Sequence, residues 1–118
     1  MPIDSNQYID IEEALGRVRG NKKIFLRMLG LFTKSTEFSA FEEHMAQKEY
    51  EKAGEVAHAI KGMTGNLGMK ILFEESANLM VQLRQGIADE DAIARYRDAV
   101  VKTQAEVEKV TAELSAEG

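Results

Sequence analysis

The chain of 118 residues contains no cysteine. That excludes a disulfide framework, a thiolate metal site and a cysteine nucleophile, and it leaves the redox compartment unmarked. There is a single proline, Pro2, so no missing backbone N–H breaks a helix further on. No apolar run approaches the roughly 18 residues that a membrane span needs. Met1-Pro2-Ile3-Asp4 carries neither the basic nor the apolar stretch of a signal peptide, and the expected location is the cytoplasm. The chain also lacks a basic run, and its net charge of -5 argues against nucleic acid as the main partner. No GxxxxGK[ST] phosphate loop is present.

Hydrophobic residues make up 44% and charged residues 30%, a balance that suits one packed domain over residues 1–118 with its core in about 9–114. The apolar residues recur at helical spacing, and no strand alternation stands out. Asp10 and Glu13 form a capping box for a short first helix with the stripe Ile11, Ala14, Leu15 and Val18, ended by Gly20. Asn21 is expected to cap one long second helix of about 27 residues. Its stripe is Ile24, Met28, Leu31, Ser35, Phe38, Glu42 and Met45, widened by Phe25, Phe32 and Phe41, with Gly30 inside it.

A third helix is expected from near Tyr50 to Gly68, with Ala53, Val56, Ala57, Ile60, Thr64 and Leu67 inward. A fourth runs from about Met69 to Gln85, with Leu72, Ser76, Leu79, Met80 and Leu83 inward. The fifth follows Asp89 and keeps a stripe of Ile93, Tyr96, Val100, Thr103, Val107, Val110 and Leu114. Ser115 to Gly118 read as a frayed tail. Short loops between long amphipathic helices predict an all-α, antiparallel up-down four-helix bundle with a short extra N-terminal helix.

The third helix carries the candidate site. Gly54 lies four residues before His58 and Gly62 four residues after it, the positions stacked on either side of the imidazole. Gly54, Gly62 and Gly65 together cost a helix roughly 3 kcal/mol relative to alanine. Clearance around His58 for a large partner is one return on that cost; for Gly54, close helix packing is an equal alternative. His58 is rotated by about 100° from the buried Ala57, so it should emerge on the flank of the bundle. Lys61 at i+3 can reach the same patch. Neutral imidazole is a nucleophile near pH 7, and a lysine beside it can neutralise phosphate oxygens. No carboxylate cluster for Mg²⁺ stands beside it. His44, with Lys48 at i+4 and no glycine neighbours, reads as a solvated surface residue. Two histidines are too few for a metal site.

The run Ala57-His58-Ala59-Ile60-Lys61-Gly62-Met63-Thr64-Gly65-Asn66-Leu67-Gly68 closely resembles the pattern of histidine-containing phosphotransfer (HPt) domains of two-component phosphorelays. Ile9-Asp10-Ile11-Glu12-Glu13-Ala14-Leu15 resembles the family's opening, and the helix order fits residues 9 to about 114. The resemblance implies that His58 is phosphorylated at Nε2, that Lys61 steadies the phosphate and that Gly62 leaves room for it. It implies response-regulator receiver domains, and a hybrid sensor histidine kinase, as partners. The exchange would use Mg²⁺ bound to the receiver, with no cofactor or metal on this chain. Several members of the family place a polar side chain 22 residues after the histidine; this chain has Met80 there, and no role carries over. Met63 is also bulkier than the small residue common after the glycine.

The function expected is that of a phosphocarrier, a monomer and not an enzyme, accepting a phosphoryl group on His58 from one receiver aspartate and passing it to another. The alternative is a non-phosphorylated docking module that binds a receiver or kinase through the same face. The start at Met1 and the lack of linker composition favour a free-standing protein.

Overall fold

A computed structural model describes residues 8–116. They form α1 (Ile11–Arg17), α2 (Lys22–Lys34), α3 (Glu37–Ala46), α4 (Tyr50–Asn66), α5 (Lys70–Arg84) and α6 (Glu90–Ala116). No strand occurs among the described residues, so the fold is all-α. The signal-peptide expectation at residues 1–4 lies outside the described residues, as do residues 117–118 of the tail. Ser115 and Ala116 continue α6 as helix, so the expected fraying does not begin at Ser115.

The helix starts follow from side-chain caps. The Asp10 carboxylate accepts the Glu13 N–H at 3.1 Å, and the Asn21 amide oxygen accepts the Ile24 N–H at 3.1 Å. The stops use left-handed glycines: Gly20, Gly68 and Gly86 have φ of 76°, 67° and 76°. At Gly68 this turn does more than end α4. Its carbonyl accepts the Asp10 N–H at 2.8 Å, and a Cβ there would stand 2.7 Å from the Asp10 carbonyl oxygen. The close approach of the two backbones ties the start of α1 to the α4–α5 turn.

The expected long second helix is two helices. Ser35 leaves the helical region at φ −62° and ψ 136°, and its hydroxyl accepts the Glu37 N–H at 3.2 Å. Serine here offers the backbone a partner that competes with the helical one. The reason for the break lies in the core. Phe32 and Phe41 are 1% and 0% exposed. They are nine residues apart, about two and a half turns, so an unbroken helix would point them in opposite directions. Breaking at Ser35 and Thr36 lets both face inward. It also moves the α2 stripe to Phe25, Leu29 and Phe32, and turns Ile24 and Leu31 outward at 42% and 65% exposure. Gly30, inside α2, does not interrupt it.

The remaining stripes differ from expectation at single positions. α4 buries Ala53, Ala57, Ile60 and Thr64, with Val56 half-buried; α5 buries Leu72, Ser76, Leu79 and Leu83, with Met80 half-buried at the edge. In α6, Ala99 takes the fully buried place expected of Val100. α4 packs on α5 and α3, α6 packs on α5 and α2, and α1 adds to α2. Aromatic contacts sit in the core where these elements meet: Phe41 lies 4.7 Å from Tyr96 between ring centroids, and Phe32 meets Phe38 edge-on at 5.2 Å.

Candidate functional site

His58 occupies the middle of α4, eight residues from either end. Ala57 beside it is fully buried and anchors that face, which leaves the His58 imidazole exposed on the flank. The ring makes one hydrogen-bond contact among the described residues: Nδ1 lies 3.1 Å from the sulfur of Met80 on α5. A thioether has no proton to give, so this contact is a hydrogen bond only when Nδ1 carries the proton. Nε2, on the far side of the ring, has no partner among the described residues.

Lys61 is one turn further along and half-buried. Its ammonium sits 5.6 Å from the centroid of the Phe73 ring on α5, a cation–π contact that steadies the long side chain. Glu55, one turn before His58, holds Arg84 of α5 at 2.9 Å. The ion pair before the ring and the cation–π contact after it thus bind the edge of α4 to α5 on both sides of His58.

The three glycines of the motif prove to have different surroundings. A Cβ on Gly62 would meet nothing within 4 Å, so the surface one turn beyond His58 is open. Gly54 is buried, and a Cβ there would stand 3.3 Å from both the Arg84 backbone nitrogen and the Leu83 Cβ. Of its two readings, close helix packing is the one the contacts show. Gly65 is half-buried, and a Cβ there would press on the Phe73 ring at 3.2 Å. Neither Gly54 nor Gly65 therefore provides clearance at His58. Their role is to let α5 approach.

Toward the end of α4, α2 and α4 leave a small apolar groove of about 130 Å³ lined by Met28, Leu31, Phe32, Met63, Asn66 and Leu67. The bulky Met63 belongs to that groove. The outward turn of Leu31, which follows from the Ser35 break, exposes part of its rim. Among the described residues no cluster of three or more His, Cys, Asp or Glu side chains is placed to hold a metal ion.

His44 differs from its expected solvated state. Its side chain is 29% exposed, and Nδ1 lies 3.0 Å from a Glu49 carboxylate oxygen at the α3–α4 turn. That hydrogen bond, with a second from Lys52, holds the Glu49 carboxyl below its ordinary pKa.

Sequence reasoning singled out His58, Lys61 and Gly62 but missed the Met80 contact and the Phe73 ring under Lys61. A signal for the first was present. His58 stands ten residues before Gly68 and Met80 twelve after it, so a tight turn there sets them at matching heights on neighbouring helices. No family model, curated protein or solved structure matches the chain.

Proposed function

We propose that this chain is a phosphocarrier of the HPt type, taking a phosphoryl group from a receiver-domain aspartate onto Nε2 of His58 and handing it to another. The observation that carries the reading is an exposed imidazole whose Nδ1 is engaged and whose Nε2 is free, beside a glycine with open space around it. In the step itself, the Nε2 lone pair forms the N–P bond. The P–O bond to the donor aspartate breaks, and its electron pair leaves on that carboxylate. The proton on Nδ1 stays where it is, so the attacking nitrogen needs no base. Lys61 supplies a cation for the phosphoryl oxygens, and the receiver brings Mg²⁺.

The finer architecture belongs to the same reading. The packing pairs and short connections support an antiparallel up-down four-helix bundle, with α2 and α3 as one broken stave, α4, α5 and α6 as the others, and α1 as the extra N-terminal helix. Among the described residues no helix is long and apolar enough to cross a membrane. The partners proposed are receiver domains and a hybrid sensor histidine kinase, met in the cytoplasm by a monomer. The apolar groove beside Met63, with Leu31 at its rim, suits the flat docking of such a partner.

The test is transfer from a phosphorylated receiver domain. The parent should acquire an acid-labile, base-stable phosphoramidate, and His58→Gln should acquire none. Equal labelling of His58→Gln would defeat the reading. Receiver binding that is the same for parent and His58→Ala, with no transfer to either, would favour the docking module instead.

A further inference from the structure

The two histidines of this chain are both held at Nδ1, by acceptors of opposite character. His44 meets the Glu49 carboxylate at 3.0 Å, and His58 meets the Met80 sulfur at 3.1 Å. A carboxylate beside a phosphoryl-accepting ring would place negative charge next to an incoming anion. A thioether is uncharged, polarizable and a weak acceptor. It can select the position of the ring proton without that repulsion. The selection has a chemical consequence, because a neutral histidine side chain in water favours the proton on Nε2. That is the form in which Nε2 has no lone pair to attack with.

We infer that Met80 is the positioning residue of this site: its sulfur fixes the rotation of the His58 ring and holds the Nδ1–H tautomer, so that Nε2 faces outward as a nucleophile. The chemical value of this arrangement rests on the phosphocarrier reading; the tautomer itself does not. In the transfer step the Nδ1 proton remains on the ring, against the sulfur, while the N–P bond forms and the donor P–O bond breaks. Gly54 is part of the same device. It stands one turn before His58 on α4, and the residues that a Cβ there would crowd, Leu83 and Arg84, stand about one turn beyond Met80 on α5. The missing side chain lets the helices close one turn from the level where sulfur reaches ring. Buried Leu79 and Leu83 then fix the rotation of α5 that keeps Met80 at the edge.

The measurement is ¹⁵N–¹H NMR of the full chain with labelled histidines, where the two ring-nitrogen shifts report the tautomer at a pH at which the ring is neutral. His58 of the parent should be in the Nδ1–H form. Met80→Leu keeps the bulk and removes the acceptor. It should shift His58 toward the Nε2–H form and slow phosphoryl uptake by about 2-fold, the low end of what a single net hydrogen bond commands, as a weak acceptor requires. Met80→Gln, whose amide oxygen accepts, should restore both. The His44 shifts should stay the same in all three proteins, which separates a local effect from a loosened fold. An Nε2–H His58 in the parent, or a tautomer unmoved by Met80→Leu, would overturn the inference. If the tautomer shifts as expected but the parent takes up no phosphate, the sulfur contact stands and the phosphocarrier reading falls.

Discussion

Each histidine of the chain takes its character from one neighbour. His58 has a sulfur and open surface; His44 has a carboxylate that also accepts from Lys52 at 3.1 Å. The second arrangement has a measurable consequence for stability. The His44 hydrogen bond, and after it the Lys52 one, lower the Glu49 pKa from its ordinary 4.5. A depressed carboxyl stabilises the fold fully above that value and loses its contribution as pH falls through the lower folded value. The stability difference between the parent and Glu49→Gln should therefore shrink as pH falls below about 4.5. Urea midpoints from about pH 5 downward check the prediction, and a difference that grows over that range would refute it.

Among the helices, legibility varied with how far each apolar stripe depended on its own sequence. α6 keeps one period over 27 residues with no competing signal, and six of its seven expected inward positions are buried. α2 and α3 read as one helix in the sequence because serine and threonine are mild breakers. What decides between a helix and a bend at Ser35 is that Phe32 and Phe41 must both reach the core, and that demand is not local. The glycines of α4 show the same limit. Their spacing about His58 was readable, but whether each faces open space or α5 depends on a partner helix whose approach the motif does not encode.

That difference gives opposite signs to two alanine substitutions on one helix. Gly62→Ala should raise stability by about 0.5–1 kcal/mol, since it gains helix propensity and meets nothing. Under the phosphocarrier reading it should also slow transfer, because the new methyl occupies approach space. At Gly54 the propensity gain is opposed by a Cβ 3.3 Å from rigid atoms of Leu83 and Arg84, and overpacking of about 1–3 kcal/mol should leave a net loss. Thermal unfolding of the two variants tests this directly. A gain for both would mean that α5 yields easily at Gly54.

At the scale of the whole molecule, the chain is a rod of 46 × 21 × 21 Å. α6, at 27 residues, spans about 40 Å of that length. His58 lies mid-helix on the neighbouring pair α4 and α5, away from fraying ends and held on both sides along α4 by contacts to α5. Such a placement leaves a rigid, laterally open surface, with Gly62 and the open space over it one turn from the ring. His44, the other histidine, is half-buried at the α3–α4 turn. The direct measurement is therefore ¹⁵N NMR of the histidine-labelled chain during incubation with a phosphorylated receiver domain. The account predicts that Nε2 of His58 alone shifts and couples to phosphorus. Coupling on His44, on Nδ1 of His58, or on neither ring would contradict it.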